Sequence, residues 1–259
     1  MESVKILDIR FDKITLSEAL KMSEQFLYSS SQHTIFTPNP EFLVKAYKDD
    51  YFKKVLNTSG LNICDGKGIQ VMSCVKLERI TGVDFMMELC ALAEKINKKV
   101  YLLGTGNDEV VKKAAEVLKG TFSNLIIAGY HKGIEIKEVK NDNKASLELD
   151  SSQNEELLST IRSLNPDILF VAFGMGKQEK WIFENFKKMP SVKIAMGIGG
   201  AFEFISGTIP RAPLWMRKIG LEWGYRLIKE PRRIKRIWNA TIVFPWLVFK
   251  TKSKKNSLS

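Results

Sequence analysis

Short, almost wholly apolar runs alternate along this chain with longer segments whose apolar residues recur every three or four positions. Val100–Leu103, Leu125–Ala128, Ile168–Phe173 and Val192–Met196 are runs of the first kind. Asp84–Ile96, Glu109–Leu118, Asn154–Leu164 and Gln178–Lys187 are segments of the second. A strand that is apolar on every residue is buried on both faces, and a 3.6-residue period marks a helix with one buried side. The alternation therefore predicts an α/β fold in which a mostly parallel sheet is sandwiched by helices. Upstream, Thr15 and Glu18 fit a capping box that opens a helix running to about Tyr28. Pro40–Leu56 reads as one helix that buries Phe42, Leu43, Ala46, Phe52 and Val55, and Leu61–Cys64 as a short strand. Residues 130–153 are polar with few apolar anchors and read as a long surface loop.

The pattern changes past Ser206, where the sequence divides into a body, residues 1–206, and a helical appendage, residues 207–259. Arg211-Ala212-Pro213 opens the helical string LWMRKIGLEWGYRLIKE, weakened by Gly220 and Gly224, and Pro231 starts a second helix. Charge follows the same division. Residues 1–206 hold 27 basic and 27 acidic side chains, whereas residues 207–259 hold 13 basic and 2 acidic. The whole net charge of +11 thus lies in the last fifth of the chain, which suits a segment that meets an anionic surface. Within it Ile237–Phe249 is apolar, carries Trp238 and Trp246, and is flanked by cations on both sides. These are the ingredients of an interfacial membrane anchor; the alternative is a helix docked on the core with a solvated lysine tail. Met1–Ile14 carries both signs of charge and no long apolar run, so no signal peptide is expected, and no apolar stretch is long enough to span a bilayer.

Composition narrows the chemistry. Three cysteines without a C-x-x-C spacing and only two histidines argue against a disulfide framework and a histidine-rich metal site. Three predicted strands run into glycine, in the strings LLGTG, FVAFGMG and IAMGIGG, which contain Gly104, Gly174 and Gly200. At the carboxyl ends of a Rossmann-like parallel sheet, such loops let a nucleotide or phosphate approach backbone N–H groups. The dinucleotide fingerprint and the Walker A motif are both absent. Thr37 and Asn39 stand at a strand-to-helix junction, and Asp65 ends a predicted strand just before Gly66. A carboxylate so placed is either a turn residue or a general base facing a cleft. No D-x-D occurs to hold a metal on a diphosphate, so no metal and no cofactor is expected, and arginine or lysine must neutralise such a group.

Several segments together resemble one family. TPNPEFLVKAYKDDYFKKVLNTSGLNICDGKGI, ERITGVDF, VYLLGTGND, NPDILFVAFGMGKQEKWI and GIGGAFEFISGTIPRAPLWMRKIGLEWGYRLIKEPRRIKR are similar, in this order, to the WecG/TagA/CpsF glycosyltransferases. The resemblance covers about residues 35 to 236. It implies an inverting, metal-independent enzyme whose body binds a UDP-sugar and transfers the sugar to polyprenyl-diphosphate-linked N-acetylglucosamine. The expected donor is UDP-N-acetylmannosamine, for the linkage unit of wall teichoic acid, with N-acetylmannosaminuronic acid or glucose donors in capsule or exopolysaccharide assembly as the alternative. It further implies Asp65 as the base, Thr37 and Asn39 around the donor sugar, and Gln178 near the nucleotide-sugar. Glu203 stands where relatives commonly carry Asp and is placed against uridine. Arg226, Arg233 and Arg236 are placed over the diphosphate, with Arg79 as a further contact unless it serves a structural ion pair. Expected partners are the two substrates and an anionic membrane surface. The protein is expected at the cytoplasmic face of the membrane, peripherally, with a soluble pool. An apolar appendage folded away from a membrane could bury itself in a homo-oligomer. Clustered tryptophans favour lipid over nucleic acid as the partner of the basic segment.

Overall fold

A computed structural model describes residues 1–141 and 144–256. Its strands are β1 (Ser3–Ile6), β2 (Ile9–Asp12), β3 (His33–Phe36), β4 (Leu61–Asn62), β5 (Lys99–Gly104), β6 (Ile126–His131), β7 (Ile136–Asn141), β8 (Lys144–Leu149), β9 (Ile168–Ala172) and β10 (Ile194–Gly197). The helices of the body are α1 (Leu16–Tyr28), α2 (Pro40–Tyr47), α3 (Asp50–Asn57), α4 (Lys67–Met72), α5 (Gly82–Lys95), α6 (Asp108–Thr121), α7 (Ser151–Leu164), α8 (Lys177–Asn185) and α9 (Ala201–Ile205). Past them lie α10 (Leu214–Ile219), α11 (Glu222–Lys229), α12 (Ile234–Trp238) and α13 (Phe244–Asn256).

Six strands form one parallel sheet in the order β4-β3-β10-β9-β5-β6. The predicted α/β architecture is therefore present. Side chains alternate across a strand, so each central strand feeds two cores. Tyr101, Leu103, Leu169, Val171 and Ala195 pack on one face with α2, α3, α7 and α8. Val100, Leu102, Ile168, Phe170, Ile194 and Met196 pack on the other with α1, α5, α6 and α9. The chain leaves β3 toward the β4 edge and β5 toward the β6 edge. The carboxyl ends of the strands between them thus open into a crevice, the usual ligand position of such a sheet.

Three local expectations are corrected. Residues 130–153 are not a loop, because β7 and β8 pair antiparallel from Ile136↔Leu149 to Asn141↔Lys144 and α7 begins at Ser151; positions 142–143 lie outside the described residues. This hairpin packs Ile136, Leu147 and Leu149 on the core and is tied down by buried charge as well. Lys180, fully buried, donates to Asp49 (2.6 Å), to Glu138 of β7 (2.9 Å) and to the Ala145 carbonyl of β8 (2.6 Å). Lys45 reaches Glu138 at 2.6 Å from the other side. Pro40–Leu56 is two helices, because Asp49 caps α3 by accepting from the Phe52 N–H at 3.0 Å. The string from Leu214 is also two helices, parted at Gly220, which adopts the left-handed conformation (φ 86°). Lys180→Met is expected to lower unfolding free energy by about 3–5 kcal/mol, because buried Asp49 would keep its charge without a cation while Glu138 retains Lys45. Urea denaturation measures it.

From Ile234 to Asn256 the backbone winds without a break, and a π turn spans Asn239–Val243. Pro245 accounts for that turn. It has no N–H to give the Thr241 carbonyl, and its ring crowds that carbonyl, so the ladder widens and the Phe244 N–H bonds Asn239 instead. Phe244, Leu247 and Val248 are buried in the core that holds α2. Ile234, Trp238, Ile242, Trp246 and Phe249 point outward, each at least half exposed. Among the described residues no helix is long and apolar enough to cross a membrane.

Candidate active site

Asp65 follows β4 and lies in the crevice. Its Oδ2 accepts the Gly82 N–H at 3.3 Å, at the first turn of α5. Burial raises its pKa to about 6; the nearby Glu222 pushes the same way, while the Gly82 N–H, Arg226 and Arg79 oppose. Gly82 is needed for closeness, since a Cβ there would sit 3.0 Å from Thr37 Oγ1 and 3.8 Å from Asp65 Oδ2. Thr37, buried at the end of β3, and Asp65 therefore flank one small space that only glycine leaves open. Gly82→Ala is expected to reduce kcat/KM by roughly ten- to a hundredfold with little change in Tm, read by steady-state kinetics beside thermal unfolding. Asn39 caps α2, its Oδ1 accepting from the Glu41 and Phe42 N–H groups at 2.9 and 3.3 Å. Its side chain thus aims the N-terminus of α2 at the strand ends.

The appendage brings arginine to this carboxylate. Arg226 on α11 lies 4.3 Å over the Phe204 ring and pairs with Glu222 at 3.5 Å, one turn before it. Burial lowers the pKa of Arg226, Glu222 and Asp65 support its charge, and Arg233 and Arg236 oppose it. Arg233 bonds Glu230 at 2.7 Å, and Arg236 grips Glu41 at the start of α2 at 2.8 Å. Glu203 on α9 is pushed above the ordinary carboxylate range by burial, against the pull of Arg233 and Arg226. Among the described residues Glu203 Oε2 and Arg226 Nε are buried without a hydrogen-bond partner, a costly condition that a polar ligand relieves. Asp65, Glu203, Arg226, Arg233 and Arg236 are thus brought together in one electrostatic cluster.

The remaining expected residues are placed differently. Among the described residues Arg79 makes no ion pair; it donates to the Arg217 carbonyl, holding the appendage at the turn before Gly220, and it also acts on Asp65. Gln178 is buried, with Nε2 donating to Glu179 (2.6 Å) and Oε1 accepting the Gly199 N–H (3.1 Å). It meets the crevice through the loop it holds. Glu179 also accepts the Gly176 N–H at 2.7 Å, and burial lifts its pKa to about 7. Gly104 packs on the Ala172 backbone, where a Cβ would approach to 2.6 Å. Gly174 (φ 84°) lies within the loop after β9, and Gly200 ends the loop after β10. Among the described residues no three His, Cys, Asp or Glu side chains gather as metal ligands would. Gly82, Phe204, Glu222 and Glu179 were not foreseen. The i, i+4 spacing of Glu222 and Arg226 is the one sequence signal among them.

A parallel sheet ending in glycine loops, with a desolvated carboxylate and partnered arginines at its mouth, equips an enzyme that moves a group off a phosphorylated donor. Residues 4–258 match the model described as the glycosyl transferase WecG/TagA/CpsF family. The chain belongs to this family and is a glycosyltransferase. It is 37% identical over 209 residues, 78% of this chain and 74% of the relative, to the N-acetylglucosaminyldiphosphoundecaprenol N-acetyl-beta-D-mannosaminyltransferase of Bacillus subtilis (strain 168). It is 30% identical over 258 residues, 97% of this chain and 94% of the relative, to the protein of the same name in Staphylococcus aureus (strain MW2).

Proposed function

We propose that this enzyme transfers N-acetylmannosamine from UDP-N-acetylmannosamine to N-acetylglucosamine carried on undecaprenyl diphosphate, in a single inverting displacement without a metal ion. The names of its relatives support the transferred sugar and the acceptor. The observation that carries the chemistry is Asp65, desolvated and flanked by Thr37 and Arg226. Its carboxylate takes the proton of the acceptor hydroxyl as that oxygen bonds the anomeric carbon. The bond from that carbon to the diphosphate breaks on the opposite face, and its electron pair leaves with UDP. Arg226, Arg233 and Arg236 receive the charge that develops there, which is worth most in a crevice shielded from water.

The acceptor's lipid lies in a bilayer, and the enzyme docks at its cytoplasmic face through the outward stripe Ile234, Trp238, Ile242, Trp246 and Phe249. Ile234, Trp238, Ile242 and Trp246, spaced by four, drift about 40° per step around an α-helix; the wider π turn takes up part of that drift and Phe249, three positions on, steps back, so the five form one face. The deciding assay is UDP release from a panel of UDP-sugars, with and without a polyprenyl-diphosphate N-acetylglucosamine analogue, in EDTA. Acceptor-dependent release from UDP-N-acetylmannosamine supports the proposal. Release from the uronic acid or glucose donor alone moves the enzyme to another polysaccharide, and loss of activity in EDTA overturns metal independence.

A further inference from the structure

We propose that a cleft between the C-terminal end of α2, strand β7 and α13 binds the phosphate-bearing headgroup of an anionic membrane lipid. The proposal rests on the membrane docking described above and adds a specific site to it. The cleft, about 470 Å³, is lined by Tyr47, Lys48, Lys140, Val243, Trp246, Leu247 and Lys250. No carboxylate is among these residues. The neighbouring lysines Lys45 and Lys180 are bound to Glu138 and Asp49. Among the described residues Lys48, Lys140 and Lys250 make no ion pair, and Lys250 lies 4.7 Å over the Trp246 ring. Three uncommitted cations from three elements surround a base of Val243 and Leu247. A cationic rim over an apolar base matches the join between a lipid's phosphate and its acyl chains.

Trp246 fixes how this cleft faces the bilayer. It lines the cleft and also belongs to the outward apolar stripe. Tryptophan settles at headgroup depth, so a stripe lying in the interface sets the lysines level with lipid phosphates. The cleft is separate from the catalytic crevice. It sits at Tyr47 and Lys48, past the C-terminal end of α2, whereas Asn39 caps the other end about 12 Å away. Lys48 and Lys140 come from elements other than the helix that carries the stripe, so the cleft adds an attachment off that helix and resists rotation of the protein about it.

Vesicle co-sedimentation tests the site, with liposomes of phosphatidylcholine alone and of phosphatidylcholine mixed with phosphatidylglycerol. Wild type is expected to bind the mixed vesicles more tightly. K48Q/K140Q/K250Q is expected to lose about tenfold or more of that gain while keeping wild-type binding to phosphatidylcholine and wild-type Tm. K112Q/K113Q/K119Q, on the opposite face in α6, removes equal charge and is expected to cost less than about threefold. Equal losses in the two triple variants would show that net charge alone matters and overturn the cleft. Unchanged binding of the first triple variant would also overturn it and leave stripe docking standing. Wild type that binds neither vesicle, or W238S/F249S that binds both as well as wild type does, would defeat the docking itself. Release of the protein from mixed vesicles by millimolar inorganic phosphate would mark a free-anion site and overturn the lipid assignment.

Discussion

Asp65→Asn is expected to abolish sugar transfer, with kcat reduced by about a thousandfold or more, while the protein still folds and still binds UDP. The amide keeps the shape and the contact with Gly82 but cannot take a proton. The same change is expected to stabilise the protein at neutral pH. The folded pKa of Asp65 is raised to about 6 from an ordinary 3.8, so the folded state holds this proton more tightly than the unfolded chain does. The charged carboxylate therefore costs stability above about pH 6, and that cost vanishes below about pH 4, where both states are protonated. Thermal unfolding should show the variant about 3 kcal/mol more stable at pH 7 and nearly equal to wild type near pH 3.5. A variant that turns over normally would remove Asp65 from the chemistry, and one no more stable at pH 7 would show that the carboxylate is not desolvated.

Arg226→Ala is the second large effect. Arg226 is the arginine stacked on Phe204 and faces Asp65, Arg233 and Arg236, so its loss is expected to lower kcat/KM by roughly a hundred- to a thousandfold. Lysine should rescue little, because a point charge neither stacks on Phe204 nor grips a phosphate with two N–H groups. A second readout separates electrostatics from mere misfolding. Arg226 lowers the Asp65 pKa and Glu222 raises it. With Asp65 as base, activity rises with pH through about 6. Removing Arg226 should move that rise to higher pH, and Glu222→Gln should move it lower. A pH profile of residual kcat/KM that stays put in both variants would refute the coupling.

What the sequence revealed and hid follows from which force shapes each part. The central strands were legible because burial on both faces leaves nearly continuous apolar runs. Asp65 stood out as a carboxylate ending such a run, but the run alone left it a turn residue or a base, and the family resemblance pointed to the second. The β1–β2 hairpin escaped notice because its turn is Leu7-Asp8, both at positive φ, without the glycine or asparagine that usually marks it. β7 and β8 escaped because charged residues separate their few apolar anchors and part of their hold comes from ions, which leaves a largely polar sequence pattern. Asp49 fell inside the segment that reads as one helix, yet it is a buried cap that also holds Lys180. The segment near Trp246 offered two readings, membrane anchor or docked helix. The docked face, Phe244, Leu247 and Val248, is present, and an outward apolar face accompanies it. Gly82 and Phe204 could not be read at all, since their roles arise only where α5 and α11 meet β4 and α9.

Arg226, Arg233 and Arg236 each come with a glutamate already in hand: Glu222, Glu230 and Glu41. A tethered carboxylate competes at a high local concentration, on the millimolar scale or above for short tethers. Chloride or a lone orthophosphate, arriving one charge or two at a time, must displace it and gains little. A pyrophosphate linkage presents several oxygens together and can take over more than one guanidinium in a single event, freeing the glutamates to water. On the proposed mechanism the crevice is thereby tuned to polyvalent phosphate and stays quiet in ordinary cellular salt.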